Sequence, residues 1–158
     1  MSDRIQQLKA DLAAARRRLN AVLDQVGDRW DAPVYTEGAA WTVRQVVIHL
    51  MVSDQGQNTT LKAIARGEEG VPADFDLERY NRRSVEKRAE TSIQDLRAAL
   101  AASFAERDAW LDTLDESQLE QSGRHGSGQI LTVAQILAVI ANHDRAHAAD
   151  IAHALGLE

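Results

Sequence analysis

Three histidines have the residue type and spacing in this chain best suited to chemistry. His143 and His147 stand four apart in His143-Asp144-Arg145-Ala146-His147. Side chains at i and i+4 stack on one face of an α-helix. His49 lies far upstream, on another stretch with helical periodicity. An imidazole from a neighbouring helix can close such a pair into a three-nitrogen metal site. Three protein ligands and an open fourth position are the usual form of a reactive metal centre. The competing reading is three ordinary core histidines, each hydrogen-bonded and inert. A lone inward histidine favours that reading, and the i, i+4 pair with a third imidazole shifts the balance toward metal.

The elements that must carry these side chains open on one device. Thr42-Val43-Arg44-Gln45, Thr91-Ser92-Ile93-Gln94 and Thr132-Val133-Ala134-Gln135 all fit the Thr-x-x-Gln capping box. Counted from the capping threonines, His49 is position 7, and His143 and His147 are positions 11 and 15. At about 100° per residue the three offsets fall within roughly 80° of one another. Each histidine also lies three or four residues from an apolar position (Val46, Ile140, Ile151), so all three face inward or along the edge of the stripe. His153 falls about 240° beyond His147 and points outward. His125 lies in a glycine-rich loop.

Periodicity predicts four long helices. The first carries the stripe Ile5, Leu8, Leu12, Ala15, Leu19, Val22 and Val26, with Gly27 as its stop. Arg16-Arg17-Arg18 is expected on its outer, solvated face. The others run over about 43–66, 92–114 and 133–155. The middle of the second is unusually polar, from Ser53 and Asp54 to Thr59 and Thr60. The connection over 68–90, with a short helix at 77–87, is long enough to travel the length of a bundle. The next helix then runs parallel to the one before. The segment 120–131 holds Gly123, Gly126 and Gly128 and is expected to be mobile. Trp41 reads as a staple for the start of the second helix, and Trp30 and Trp110 as packing residues. Asp54, Asp144 and Asp150 are candidates to orient the imidazoles' second nitrogens. Solvated helix acids are the simpler reading of those three.

Composition bounds the function. The chain has 158 residues, suiting a single domain over 1–158, with two prolines and an apolar content rich in Leu, Ile, Val and Ala, which points to an all-α fold. A net charge of −6 argues against a nucleic-acid partner. No apolar run approaches the roughly 20 residues that span a bilayer. The polar opening Met1-Ser2-Asp3-Arg4-Ile5-Gln6-Gln7 does not resemble a signal peptide, so a cytoplasmic location is expected. There is no cysteine. Disulfides, Cys-ligated zinc and a cysteine nucleophile are thereby excluded, and any thiol chemistry needs a thiol cosubstrate.

Two motif readings fail. His143-Asp144-x-x-His147-x-x-Asp150-x-x-His153 has the spacing of a zinc-protease motif. Its general-base Glu is replaced by the shorter Asp144, and its helix-breaking glycine by Asp150. A di-iron bundle needs Glu-x-x-His motifs, and the chain has none.

Trp41-Thr42-Val43-Arg44-Gln45-Val46-Val47-Ile48-His49-Leu50 resembles the opening of the second helix in the DinB-like (damage-inducible) superfamily. Ala141-Asn142-His143-Asp144-Arg145-Ala146-His147-Ala148-Ala149-Asp150-Ile151 resembles that family's C-terminal His-x-x-x-His helix, and Tyr80-Asn81 a recurring middle segment. The resemblance implies an up-down-down-up four-helix bundle with a long crossover between helices 2 and 3. It implies a divalent metal, zinc or nickel foremost, held by His49, His143 and His147, and no catalytic residue beyond that site. It implies a small-molecule substrate and a homodimer, and the lack of a long apolar run argues against a membrane partner. The family includes transferases and isomerases that use bacillithiol, mycothiol or glutathione, and metal hydrolases. The expected activity is thus thiol S-transfer or isomerisation. The alternatives are a water-activating hydrolase and a non-catalytic dimeric bundle. Where family members often carry a further histidine or a Gly-Gln pair after the last ligand, this chain has Ala148-Ala149-Asp150.

Overall fold

The computed structural model describes residues 2–157. Five helices form: α1 (Asp3–Leu23), α2 (Val43–Ala65), α3 (Leu77–Lys87), α4 (Ile93–Leu111) and α5 (Val133–Leu155). A 3₁₀ turn (Glu116–Glu120) and a small hairpin, β1 (Ser122–Arg124) with β2 (Ile130–Thr132), separate α4 from α5. Among the described residues no helix is long and apolar enough to cross a membrane.

The helix starts follow local chemistry. Thr42 and Thr132 each accept from the backbone of the residue three on, and Gln45 and Gln135 accept from the threonines' own amides, so two of the three capping boxes form. The third does not. Thr91 donates its amide to Arg88 O at 3.0 Å, closing the turn that leaves α3, and Ser92 becomes the cap by accepting from Asp95 N at 3.1 Å. The first helix also stops at Leu23, short of Val26, although Val26 remains buried in the turn that follows.

Contacts between ends give the topology. Lys9 pairs with Asp112 and Asp24 with Arg97, so α1 and α4 are antiparallel. Arg44 reaches Thr91 O while Lys62 pairs with Glu106, so α2 and α4 are parallel. Arg4 pairs with Glu120 before α5, and Arg29 reaches Leu155 O at its end, so α1 and α5 are parallel. The bundle of α1, α2, α4 and α5 is therefore up-down-down-up, with α3 in the crossover.

The core is in two parts. One gathers Leu19, Val22, Val46, Val47, Leu96 and Ile151, the other Ile5, Leu12, Leu61, Ile64, Leu111 and Ile136. Between them lies a charged layer. Arg16 Nε donates to Asp144 Oδ2 at 2.9 Å, and its guanidinium also reaches Leu100 O and Asp54 Oδ1 at 3.0 and 3.2 Å. Arg107 donates to Asp54 Oδ1 and Asn58 Oδ1, each at 2.8 Å, and Asn58 donates to Ser103. Phe104 lies 5.3 and 5.6 Å from the two guanidiniums.

This layer corrects two expectations. Arg17 and Arg18 are exposed, but Arg16 is buried. Asp54 and Asp144 are also buried, so they are neither solvated acids nor hydrogen-bonded to the histidines. Buried charge is tolerated only when paired, and here one cation on α1 is paired with acids from two other helices. The polar middle of α2 is explained in part, since Asp54 and Asn58 face this layer.

Within the glycine-rich segment, Gly123 permits close packing. Arg124 N donates to Glu69 O at 2.7 Å, Val71 N donates to Arg124 O, and a parallel bridge joins Gly70 to Arg124. A Cβ on Gly123 would lie 2.6 Å from Ile64 Cγ1, and one on Gly70 (φ +90°) 2.3 Å from Arg124 O. The hairpin thus clamps the start of the crossover.

Candidate metal centre

The two capped helices bring His49, His143 and His147 together. His143 Nε2 stands 2.9 Å from His49 Nε2 and 3.0 Å from His147 Nε2, and one ligand atom of each ring lies within 4.8 Å of the others. The rings meet nearly edge to face, at 77° to 85°. Three nitrogens around a tetrahedral ion with bonds of about 2.1 Å are roughly 3.4 Å apart. The nitrogens of His49 and His147 need each to part from that of His143 by only a few tenths of an ångström. The donor set fits a divalent ion that accepts imidazole nitrogen.

Protonation favours the same use. Burial is the main cause that pushes His143 down to about 3 and His49 down to about 4, and charge on neighbouring imidazoles adds to it. His147 is also lowered by burial, against the opposing pull of Asp150. All three rings are neutral at pH 7, the form that ligates a metal.

A loop of no periodicity supplies the surrounding groups. Val34 N and Tyr35 N both donate to Trp41 O, and Pro33 bridges to Thr42. This pairing sets Trp41 over His49, with ring centroids 4.9 Å apart, while Trp41 also packs on the core as a staple should. It sets the Tyr35 hydroxyl 2.9 Å from His147 Nδ1 and 2.5 Å from Asp150 Oδ2. An ionised carboxylate only accepts, so Tyr35 gives its one proton to Asp150. Its oxygen then accepts from His147 Nδ1–H, and the lone pair of His147 is left on Nε2, facing the other histidines. Burial and Asp150 hold the Tyr35 hydroxyl well above the usual phenol range, so it keeps that proton. Asp150 therefore orients a second nitrogen, through Tyr35. Neither Tyr35 nor this route is visible in spacing.

His49 and His143 open into a cavity of about 450 Å³. Ser53, Gln57 and Thr60 of α2 line one side, which accounts for more of that helix's polar middle. Phe75, Leu77, Tyr80 and Asn81 of the crossover and α3 form the opposite wall. His125, expected in the glycine-rich loop, is at the rim. Its Nε2 donates to Gln57 Oε1 at 2.9 Å, an orientation supported by Gln57 Nε2 donating to Ser53. Its Nδ1 accepts from Ser127. His153 is exposed and away from the site, as its angle requires. No Asp, Glu, Lys or Arg is among the described residues lining the cavity.

An up-down-down-up bundle with histidines from α2 and α5 converging beside a covered crossover defines the class of protein. Residues 11–151 match the model of the DinB superfamily, and the chain belongs to that family. It is similar to YfiT from Bacillus subtilis, described as a probable metal-dependent hydrolase with an unusual four-helix bundle topology. That likeness has a TM-score of 0.77 and 21% identity, covering 100% of this chain and 91% of the other. It is also similar to a histidine-to-alanine variant of a mycothiol-dependent maleylpyruvate isomerase. The TM-score there is 0.78 and the identity 12%, over 96% of this chain and 63% of that longer one. No functionally curated protein matches the sequence.

Proposed function

We propose that the protein is a divalent-metal-dependent enzyme in which His49, His143 and His147 hold the ion, and that its reaction is thiol S-transfer or thiol-dependent isomerisation. A divalent ion on three neutral imidazoles keeps its full charge and lowers the pKa of a thiol or water that binds it. The observation that carries the choice of thiol is the lining of the cavity. Water activation is usually served by a protein base beside the metal, and this cavity contains no carboxylate. His125 is its one further imidazole, and both its nitrogens are engaged, with Gln57 and Ser127. A metal-bound thiol or water can each lose its proton to solvent. Hydrolysis of an ester or amide is also served by an acid that protonates the leaving group, which S-transfer with a stable leaving group does not need. In S-transfer the sulfur forms the new C–S bond and the leaving group departs with the electron pair of the broken bond.

The chain's own contribution is binding and orientation. Ser53, Gln57, Thr60 and Asn81 offer neutral donors and acceptors, and Phe75, Leu77 and Tyr80 cover an apolar part of the substrate. The volume suits a small organic molecule. The YfiT description favours the second reading, a hydrolase that activates water.

Elemental analysis of protein purified without chelator or histidine tag is expected to give one divalent ion per chain. Metal-loaded protein is expected to consume an electrophile such as 1-chloro-2,4-dinitrobenzene only when a thiol is supplied. A metal-free protein would overturn the assignment. Metal-dependent turnover of ester or amide substrates with no thiol present would favour the hydrolase.

A further inference from the structure

Beyond the wall formed by Phe75 and Tyr80 lies a second groove of about 580 Å³, lined by Arg79, Arg83, Lys87 and Arg88. The same two aromatic residues line both cavities, with their rings 5.3 Å apart. The residues 77–88 carry five cations and two acids, in a chain whose net charge is −6. Arg79, Arg83 and Lys87 repeat at steps of four and so share one face of α3. Like charges at that spacing destabilise a helix, so the stripe has a cost in the free protein. Among the described residues none of these three has an ion-pair partner, whereas Arg4, Lys9, Lys62, Arg97 and Arg145 are all paired. Asp74 and Asp76 share the groove, but Asp76 is engaged in capping α3 by accepting from Arg79 N.

The metal cavity itself offers no charged side chain to an anion. A cosubstrate with a carboxylate must place it elsewhere, and across the shared aromatic wall stand these cations, none of them in an ion pair among the described residues. We infer that the basic face of α3 is an anion subsite of the active centre, holding the carboxylate end of the thiol whose sulfur reaches the histidines. This rests on the thiol reading above. It makes the enzyme selective for acidic thiols over neutral ones of similar size.

The test uses full-length protein loaded with cobalt(II), titrated with glutathione and with its diethyl ester. The two differ in the charge of their carboxylates, and the sulfur-to-cobalt absorption band reports binding without turnover. Glutathione is expected to bind more tightly, with an advantage that shrinks as sodium chloride rises from about 0.05 to about 0.5 M. Replacing Arg79, Arg83 and Lys87 together by Ala is expected to weaken glutathione by about tenfold and the ester by less than about twofold, as the summed loss of several exposed charge contacts. An unchanged cobalt spectrum certifies that the variant is folded and loaded, and Arg83→Gln alone is expected to give a smaller loss of the same sign. Equal affinities for the two probes, or equal weakening of both, would overturn the anion subsite and leave the thiol reading standing. A band with neither probe would overturn the thiol reading, and the subsite with it.

Discussion

The Tyr35 hydroxyl lies 2.9 Å from Nδ1 of His147 and so sets which nitrogen of that ring carries the lone pair. The ring belongs to α5 and the hydroxyl to the loop before α2, so metal binding is coupled to the fold of that loop. Asp150, one turn beyond His147, fixes the direction of the Tyr35 proton. Removing the hydroxyl frees His147 to rotate or to take the other tautomer. Tyr35→Phe is expected to weaken zinc binding by about 10- to 100-fold, the usual effect of losing such a supporting contact. Competition with a chromogenic chelator measures it. Asp150→Ala is expected to act in the same direction. An unchanged affinity in both variants would show that the contact does not orient the ligand.

The metal assignment makes a sharper demand on the histidines. His147→Ala and His143→Ala are expected to lose stoichiometric metal while keeping the helical circular dichroism of the parent, because neither ring belongs to the apolar clusters. His153→Ala, on the exposed face of α5, is expected to retain the full complement. Metal analysis of the three purified variants distinguishes a site from a fortuitous cluster of imidazoles.

Periodicity made the helices and the convergence of the histidines legible in the sequence. The crossover helix over 77–87 was also legible, and the structure opens it on Asp76 and closes it at Lys87. The charged layer was not. An Arg-Arg-Arg run looks solvated, and Arg16 differs from its neighbours only in the helical angle that turns it toward Asp54 and Asp144. Those acids come from two other helices, so no local pattern joins them. Tyr35 was missed because it lies in an irregular loop whose position depends on the pairing of Pro33 with Thr42. The packing of Gly123 was not legible either, because sequence does not display the backbone of Glu69 or the side chain of Ile64 that it meets.

Arg16 and Arg17 are adjacent in sequence and opposite in consequence. Arg16 donates to Asp144 and Asp54 in the buried layer, and Arg17 is exposed. Arg16→Met leaves two buried carboxylates short of a partner and is expected to cost about 3–5 kcal/mol of stability. Arg17→Met is expected to change it by less than about 0.5 kcal/mol. Urea denaturation of both variants checks the contrast, and a small effect at Arg16 would mean that the layer is hydrated.

Gly123 holds the hairpin against α2. A side chain there meets Ile64 Cγ1 at 2.6 Å and Glu69 O at 2.9 Å, and the backbone carbonyl cannot move without breaking its bond from Arg124 N. Gly123→Val is expected to lower stability by about 1–3 kcal/mol. It is also expected to shift the hairpin that carries His125, weakening ligand binding in the cavity more than metal binding at the histidines. Thermal denaturation and the cobalt titration, run on the same variant, separate the two effects.

Acid should destabilise the metal-free protein through these histidines, and the sign follows from where each ring prefers its proton. His143 and His49 are pushed down to about 3 and about 4 in the folded chain, from about 6.5 when unfolded. Above pH 7 they are neutral in both states and contribute no pH dependence. As pH falls below about 6.5 the unfolded chain takes up protons that the folded chain refuses. Stability then drops by up to about 1.4 kcal/mol per pH unit for each histidine until the folded values are reached. Asp144 acts with the opposite sign, because burial raises its carboxyl. The urea midpoint of the apo protein is therefore expected to fall between pH 7 and pH 5, and to fall less in a His49→Gln, His143→Gln variant. Zinc should steepen the drop, since protons and metal compete for the same nitrogens. A parent midpoint that stays flat across that range would mean that the rings are not buried in neutral form.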